Sequence, residues 1–482
     1  MTTDTLAPPA APTGRLLVGG TWRETATRFA VRDKYDGRRV AEVCEAGAAE
    51  VDAAVAGAAA AFAKGAPPPT ERAAILRRTA GILARERPLL MATLVAEAGL
   101  TLAEAKAEID RSLATLEITA EETTRINGEL VPFGGAPGQE SRIGFTLMFP
   151  LGIVCAITPF NSPLNTVIHK VAPAFAAGNA VILKPSVYTP LAAEILCRAM
   201  VEAGVPEGFL SLLQGPGSRL GTLLLDQPDI AFYAFTGSTA VGRTIHKAAG
   251  LRRCQLELGS IAATIVCADA DISRAAQKVA AAGFRKAGQV CTSVQLLLVE
   301  RAAMADMRDA LLERVAAISF GNPHLPTTGM GPLIDEADAA RVSDWVREAE
   351  TAGARVLCGG GRTRSVVEPT LLEDVARGMK VVDREVFGPL VSLVPFDSLD
   401  AAIDLANASP YGLAAGVFTR DMSRALSAAR HLRFGAVHLN EASSARSDAM
   451  PFGGVKDSGF GREGPRYAIA EMSEERLITL NP

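Results

Sequence analysis

The sequence is poor in aromatic residues and histidines, and it has no strong excess of charge of either sign. Of its 482 residues 5% are aromatic and five are histidines, and the formal net charge is −4. A balanced charge without a basic cluster argues against binding to nucleic acids. The histidines show no metal-ligand spacing, so we expect no metal site. No apolar run is long enough to span a bilayer, so we expect no contact with a membrane.

Cysteines are also scarce. The seven are odd in number, lie far apart and include no Cys-x-x-Cys pair. This pattern argues against a disulfide framework or a zinc site and favours a reducing compartment, so we expect a cytoplasmic protein. Residues 1–14 lack the basic start and apolar stretch of a signal peptide and are expected to form a frayed arm.

Length and periodicity predict an α/β protein of two or three domains. From Gly152 onward, short strands that are apolar throughout alternate with helices, which is typical of a doubly wound parallel sheet. A second series of this kind runs from about residue 264 to about residue 438. The predicted strands are 153–157, 180–183, 210–213 and 230–235 in the first series, and 262–267, 294–299, 391–395 and 414–418 in the second.

Helices are predicted at 51–62, 71–97 and 101–126, before the first sheet. The glycine-rich stretch 128–138 and the strand-like stretch 143–149 then predict a protruding hairpin. The last strand-like segment, 477–480, is too short to fold alone and should join another sheet.

Cys291 and Glu257 are the residue types that covalent catalysis on a carbonyl requires. Cys291 lies in Lys286-Ala-Gly-Gln-Val-Cys-Thr-Ser293 and Glu257 in Leu256-Glu-Leu-Gly-Ser260. A thiol can attack a carbonyl, a carboxylate can activate water, and the nearby glycines let the backbone approach a ligand. Taken singly, the cysteine is also compatible with a buried apolar position and the glutamate with the surface.

Three further positions follow predicted strands. The amide of Asn161 can donate to an oxyanion or occupy a plain turn, and Lys184 can reach ribose and phosphate oxygens or be solvated. The segment Thr236-Gly-Ser-Thr239 opens a helix, whose free amides favour a phosphate. The glycines of 215–221 do not match Gly-x-Gly-x-x-Gly, because the last gap is one residue longer.

These segments together resemble the aldehyde dehydrogenase superfamily over essentially the whole chain. The resemblance implies two doubly wound α/β domains and a small oligomerisation sheet that makes a homodimer or homotetramer. The implied boundaries are 1–128 and 149–258 for the cofactor domain, 259–450 for the catalytic domain, 129–148 and 470–482 for the oligomerisation strands, and 451–469 for a segment that returns to the active site. The matching segments, in family order, are Thr158-Pro-Phe-Asn-Ser-Pro163, Lys184-Pro-Ser186, Phe235-Thr-Gly-Ser238, Leu256-Glu-Leu-Gly259, Gly288-Gln-Val-Cys291, Glu385-Val-Phe-Gly-Pro389, and Pro451-Phe-Gly-Gly454 with Ser458-Gly-Phe-Gly-Arg462.

The resemblance also implies a mechanism. Cys291 forms a thiohemiacetal that Asn161 and the Cys291 amide stabilise, hydride transfer to NAD or NADP gives a thioester, and Glu257 activates water. Lys184 and Glu463, a second carboxylate, complete the implied catalytic set. The implied cofactor residues are Thr158, Pro159, Phe160, Lys184, Ser186, Gly215, Thr236, Gly237, Ser238, Leu258, Gly259, Glu385 and Phe387.

Several residues depart from the family pattern. Ser260 follows the motif where the family usually continues with a second glycine, and should narrow the space around Glu257. Val187 replaces a glutamate of many NAD-preferring members, so a 2′-phosphate is not repelled. Ser162 replaces a bulky aromatic and should open the substrate pocket, whereas Ala240 replaces an acid with little expected consequence.

The segments Pro163–Lys170, Gly288–Val294 and Gly461–Tyr467 resemble lactaldehyde dehydrogenases and their relatives acting on phosphonoaldehydes, succinate semialdehyde or glyceraldehyde phosphate. The expected substrate is therefore a small aldehyde, with an anionic or 2-hydroxy group favoured. The implied substrate residues are Ser162, Thr292 and two arginines, Arg111 and Arg446, whose N–H groups suit an anion unless they serve in salt bridges. Val290, where some relatives carry arginine, argues against a doubly charged substrate.

Other functions remain open at this level. A CoA-acylating aldehyde dehydrogenase needs no carboxylate base, so Glu257 speaks against it. A cysteine hydrolase or acyltransferase needs a histidine partner for Cys291, and none lies nearby in the sequence. A non-catalytic relative need not retain Cys291, Glu257, Asn161 and Lys184 together.

Overall fold

The protein folds around an eight-stranded sheet, termed here the first sheet. A computed structural model describes residues 13–481, so most of the predicted N-terminal arm lies outside the described residues. The interior strands are parallel, as predicted, whereas the strands at both edges are antiparallel. In spatial order the strands are Gly459–Phe460, Arg253–Glu257, Ile230–Thr236, Ile153–Ile157, Ala180–Lys184, Leu210–Leu212, Leu16–Val18 and Thr21–Arg23.

A second, seven-stranded sheet follows in the chain. Its strands are parallel except Arg355–Cys358 at one edge, so the predicted second series is confirmed. In spatial order they are Arg355–Cys358, Thr370–Glu373, Leu390–Phe396, Val294–Glu300, Ala262–Val266, Ala414–Phe418 and Ala436–Leu439.

The helices pack on these sheets. The single helix predicted over 71–97 is wrong, because the chain forms two helices that meet at Glu86. Pro88 lacks an N–H donor and is tolerated only in the first turn, which starts a new helix. The helices are Ala48–Ala63, Pro69–Arg85, Arg87–Ala98, Leu102–Thr123, Asn165–Ala176, Pro190–Glu202, Gly217–Leu225, Thr239–Ala249, Ile272–Phe284, Met304–Ala316, Glu336–Thr351, Lys380–Asp383, Leu399–Asn407, Met422–His431 and Pro465–Glu471, with 3-10 turns at Phe133–Gly135, Arg285–Gly288, Arg301–Ala303 and Lys456–Ser458.

Three smaller sheets complete the fold. In one of them Ser473–Leu480 pairs antiparallel with Ile143–Pro150, and Leu130–Val131 adds a third strand, so the predicted placement of the C-terminal strand is confirmed. The sequence analysis missed the N-terminal strands, including a sheet of Thr13–Gly14, Arg39–Cys44 and Arg28–Arg32. The remaining pair is Arg362–Thr363 and Val366–Val367.

Buried apolar residues form two large cores. One spans residues 16–258 with Ile469 and Met472, and the other spans residues 261–442. The chain therefore passes from one core to the other between Leu258 and Ile261, which places the adjacent Glu257 where the two meet. The domain boundaries given above remain a prediction. Within residues 13–481, no helix has the length and apolar character needed to cross a membrane.

Candidate active site

Cys291 and Glu257 line the same cavity, which has a volume of about 390 Å³. Glu257 ends a strand of the first sheet, and Cys291 precedes the strand Val294–Glu300 of the second. The antiparallel strand Gly459–Phe460 pairs beside Glu257 and brings the returning segment to the cavity. The predicted site residues that line it are Asn161, Ser162, Arg111, Thr292, Arg446, Glu463, Pro159, Phe160, Thr236, Gly237, Ser238, Leu258, Gly259, Glu385 and Phe387 together with Cys291 and Glu257.

The other four predicted site residues lie at the same edge of the first sheet, outside the cavity wall. The amide of Thr158 donates to the carbonyl of Lys184 (3.1 Å), so these two strand ends are adjacent. Ser186 accepts a hydrogen bond from the Tyr188 amide (3.2 Å), and Gly215 follows the next strand. The carboxyl ends of parallel strands thus gather these residues, as the fold class predicts.

The loop before Cys291 has a left-handed backbone over three residues. Lys286 and Ala287 have φ of 53° and Gly288 has φ of 71°. Such a conformation costs on the order of 1 kcal/mol or more for each non-glycine residue, so other contacts must hold it. A Cβ on Gly288 would lie 2.0 Å from the carbonyl oxygen of Gly388. The glycine therefore lets this loop pack directly on the Glu385–Pro389 loop.

The Lys286 side chain anchors the same loop to the helix Leu102–Thr123 and to the turn that contains Asn161. Its ammonium donates to the carboxylate of Glu108 (2.8 Å), the carbonyl of Asn161 (2.9 Å) and the hydroxyl of Ser162 (2.7 Å). Lys286 thus fixes the loop before Cys291 relative to the turn that contains Asn161. The Asn161 amide in turn donates one N–H to the Gln289 carbonyl (2.8 Å). Its second N–H remains for a ligand in the cavity.

The Cys291 thiol lies in a poorly solvated part of the cavity. Burial raises the pKa of Cys291 to about 12; the nearby Arg446 opposes this rise, and the carboxyl groups of Glu257, Glu385 and Glu463 add to it. The resting thiol is therefore protonated at neutral pH. A group that accepts its proton is required before it can attack a carbonyl.

Glu257 is the group best placed to accept a proton. It is buried, and neither carboxyl oxygen has a hydrogen-bond partner in the described structure. Burial, followed by the charge of Glu463, raises the pKa of Glu257 well above its usual value. A carboxylate with a raised pKa is a stronger base than a solvated one, which suits proton abstraction near neutral pH.

The pKa of Glu463 is shifted in the opposite direction to that of Glu257. Its carboxylate accepts hydrogen bonds from Lys170 (3.1 Å), Arg446 (2.8 Å) and the hydroxyl of Thr236 (3.3 Å). Burial disfavours its charge, but Lys170 and Arg446 outweigh burial and hold the pKa of Glu463 well below its usual range. Sequence reasoning did not assign a role to Lys170. A fully buried lysine within an apolar helix signals a buried counter-charge.

The two predicted anion-binding arginines both line the cavity and both form salt bridges. Arg111 donates to both oxygens of Asp448 (2.6 and 3.0 Å), and Arg446 pairs with Glu463. Asp448 also contacts His169 (3.0 Å), a buried residue that sequence reasoning left unassigned. The salt-bridge interpretation thus holds for each arginine in the described structure.

Arg285, which sequence reasoning missed, also lines the cavity. It donates to the hydroxyl of Ser444 (2.7 Å), its Nε is buried without a partner, and no salt bridge to it exists among residues 13–481. Burial, followed by repulsion from Arg111, lowers the pKa of Arg285. Its position six residues before Cys291 was the feature of the sequence that could have identified Arg285 as a site residue. Among the described cationic residues that line the cavity, Arg285 is the one without a salt bridge, although the charge of Glu104 acts on it.

The cavity and the adjoining strand ends fit a nicotinamide dinucleotide. Among the described residues, Glu385 accepts a hydrogen bond only from the Ser260 amide (2.9 Å), and burial raises its pKa to about 7. Within the same part of the chain the buried Lys184 donates only to the Pro185 carbonyl (3.1 Å), and burial lowers its pKa to about 8. Ser238 caps the helix Thr239–Ala249. Such carboxylate and ammonium groups suit ribose hydroxyls, and the helix N-terminus suits a pyrophosphate.

The Ser260 amide donates to Glu385 (2.9 Å), and its buried hydroxyl has no hydrogen-bond partner among the described residues. That Ser260 narrows the space around Glu257 stays a prediction. No histidine is among the described residues that line the cavity, so a cysteine–histidine hydrolase pair finds no support.

The chain is similar to known proteins over nearly its whole length. The model of the aldehyde dehydrogenase family matches residues 22–478. The 3-sulfolactaldehyde dehydrogenase of Priestia aryabhattai is 44% identical over 97% of this chain and 98% of its own. The lactaldehyde dehydrogenase of Methanococcus maripaludis is 35% identical over 86% of this chain and 88% of its own.

Solved structures show the same fold. NADP-dependent glyceraldehyde-3-phosphate dehydrogenase from Bacillus halodurans, complexed with NADP, has a TM-score of 0.95 at 32% identity, covering 97% of this chain and 99% of its own. NAD-dependent aldehyde dehydrogenase from Sinorhizobium meliloti has a TM-score of 0.94 at 31% identity, covering 100% and 97%. The predicted resemblance is confirmed: this chain belongs to the aldehyde dehydrogenase family and is an enzyme that oxidises aldehydes.

Proposed function

We propose that the protein oxidises a small aldehyde bearing an anionic group to the carboxylic acid, using NAD or NADP and a thioester on Cys291. The observation that carries the proposal is Arg285, an unpaired cation on the same cavity wall as Cys291 and Glu257. A cation without a counter-charge in a small cavity favours an anionic ligand.

In the first half-reaction Cys291 loses its proton to Glu257, and the thiolate attacks the aldehyde carbon. The carbonyl oxygen becomes an oxyanion that the free N–H of Asn161 and the Cys291 amide stabilise. The bound nicotinamide supplies a hydride acceptor, so loss of hydride from the thiohemiacetal leaves a thioester. Lys184 and Glu385 would hold the ribose hydroxyls and Phe387 would border the nicotinamide.

Before the second half-reaction Glu257 releases to solvent the proton that it took from Cys291, and it then takes a proton from water. The resulting hydroxide attacks the thioester carbon, the C–S bond breaks, and the acid leaves with the thiol restored. This assignment is supported by the buried carboxyl group of Glu257, which has a raised pKa and no competing hydrogen bond in the described structure. The same carboxyl group thus serves both half-reactions.

The substrate class follows from the cavity wall. Arg285 and Thr292 line the cavity, and both donate to the buried hydroxyl of Ser444 behind it (2.7 and 3.2 Å). The relatives named for sulfolactaldehyde and lactaldehyde suggest a three-carbon 2-hydroxyaldehyde, with or without a sulfonate. We favour a singly charged anion such as a sulfonate or carboxylate, because one unpaired guanidinium faces the cavity.

Both cofactors are compatible with the adenosine side of the site. Val187 offers no carboxylate to repel a 2′-phosphate, and Lys184 lies at the preceding strand end.

We also propose a homodimer or homotetramer built on the small sheet of Ile143–Pro150 and Ser473–Leu480, where Leu147, Leu477 and Leu480 are exposed. The predicted cytoplasmic location stays a prediction.

Rapid-mixing kinetics test this function. Cys291→Ala should abolish NAD(P)H formation while cofactor binding survives, because the nucleophile is lost and the cofactor residues remain. Glu257→Asp keeps a base and should retain slow turnover, whereas Glu257→Gln should form at most about one NAD(P)H per site. Turnover by Cys291→Ala at the wild-type rate would refute the assignment.

A further inference from the structure

Arg446 connects the loop after the strand Ala436–Leu439 to the buried carboxylate of Glu463. It lies between the buried Ser444 and the Pro451–Gly454 segment, and its Nη2 donates to Glu463 (2.8 Å). Its guanidinium carbon lies 3.9 Å from the centroid of the Phe452 ring, a cation–π arrangement. The side chain is 19% exposed, and its Nε is buried without a partner. Arg446 is thus held from two sides rather than left free for a ligand.

The partner of Arg446 is itself fixed. Glu463 and Phe452 exchange both backbone hydrogen bonds (3.1 and 2.7 Å), so the ring under Arg446 and the carboxylate beside it form one unit. Lys170 holds the other carboxyl oxygen of Glu463 (3.1 Å). An incoming anion would have to break this arrangement to recruit Arg446, whereas Arg285 has a free N–H already.

We propose that Arg446 is a positioning residue for both half-reactions: it orients the Glu463 carboxylate near Glu257 and places a positive charge near Cys291, while Arg285 receives the substrate's anion. This division of roles rests on the proposed function. It differs from an anion-anchoring role for Arg446, because it makes the residue equally important for charged and neutral aldehydes.

The electrostatic consequence has a definite sign. The charged groups that act on Glu257 include Glu463, Lys170, Arg446 and Arg462, and those that act on Cys291 include Arg446, Glu257, Glu385, Glu463 and Arg285. Removing Arg446 leaves less positive charge to offset the negative charges of Glu257, Glu385 and Glu463. The pKa values of both catalytic groups should therefore rise, and the pH needed for acylation and for deacylation should move upward together.

Arg446→Met and Arg446→Gln test the proposal, since both remove the charge and the second retains N–H donors. Stopped-flow NAD(P)H formation and steady-state turnover would be measured against pH, with propanal and with 3-sulfolactaldehyde. We expect both profiles to move upward by about 1 pH unit, and kcat to fall by a similar factor for both aldehydes. Arg446→Lys should recover part of the shift because it restores the charge.

The comparison with Arg285→Met separates the two roles. That variant should raise KM for 3-sulfolactaldehyde much more than KM for propanal, whereas Arg446→Met should lower kcat for both aldehydes. If instead Arg446→Met and Arg446→Gln raise only the KM of the anionic aldehyde, with unshifted profiles, Arg446 is an anchor and the proposal is wrong. A wild-type enzyme that forms no NAD(P)H from either aldehyde would contradict the proposed function, whereas unshifted profiles in an active wild-type background contradict only this inference.

Discussion

Replacing Arg285 by methionine should convert the enzyme from one that prefers anionic aldehydes into one that does not. Methionine has a similar length and fills the same space without the charge. In the structure the guanidinium keeps one hydrogen bond, to Ser444 (2.7 Å), and a buried Nε without a partner. An anionic substrate group would complete its hydrogen bonding, so the variant removes an interaction that a neutral aldehyde never makes.

The expected loss in kcat/KM follows from the interactions that Arg285 would make with the substrate's anionic group. A hydrogen bond to a charged group contributes about 1.5–3 kcal/mol, and loss of one member of a charge pair away from solvent costs about 2–5 kcal/mol. Arg285 is half-buried, so we take about 3 kcal/mol. This corresponds to a loss of roughly 150-fold in kcat/KM for the anionic aldehyde. A neutral aldehyde of similar length should change by less than about threefold.

The assay compares kcat/KM for 3-sulfolactaldehyde and propanal in the wild type and in Arg285→Met. Arg274→Met is a matched control, because Arg274 is an exposed arginine on the preceding helix. The Arg274→Met variant should leave kcat/KM unchanged for both aldehydes. Equal losses for both aldehydes in Arg285→Met would refute the reasoning, because they would show that Arg285 supports the loop rather than the substrate's anion.

Three further predictions follow from the same geometry. Steady-state turnover should increase as pH is raised through neutrality, because Glu257 acts as a base only when ionised and burial raises its pKa; a rate that is flat from about pH 6 to about pH 9 would contradict this role. Gly288→Ala should lower kcat/KM by about 100-fold, because its Cβ would lie 2.0 Å from the Gly388 oxygen, whereas Gly221→Ala, with open space around it, should have no effect. Leu477→Asp should reduce the molar mass in light scattering toward that of the monomer, and an unchanged mass would exclude this face from the interface.

The elements that carry the site could be predicted from the sequence because they depend on local patterns. Asn161 and Lys184 each lie at or just after the end of an apolar strand, and parallel strands bring such ends to one edge. The motifs and their order then supplied Cys291, Glu257 and Glu463. The cavity brings Cys291, Glu257, Asn161 and Glu463 together, and Lys184 lies at the same sheet edge.

The charge pairing could not be predicted, because it joins residues far apart in the chain. Arg111 meets Asp448 across 337 positions, and Lys286 meets Glu108 across 178. Neither pair has a local signature, so a sequence cannot tell which arginine in the cavity keeps an uncompensated charge. The N-terminal edge strands were missed for a related reason: at three residues each, they are too short to show periodicity.

The most direct test of the central claim is intact and peptide mass spectrometry of Glu257→Gln after acid quenching with aldehyde and NAD(P). The variant retains the nucleophile but lacks the base that accepts the Cys291 proton and later activates water. Acylation should therefore be slow, through the small ionised fraction of the thiol, and deacylation should be blocked. The acyl group should then accumulate as a thioester on the peptide containing Cys291, in step with the NAD(P)H formed. NAD(P)H formed without an acylated Cys291, or acylation of a different cysteine, would contradict the account.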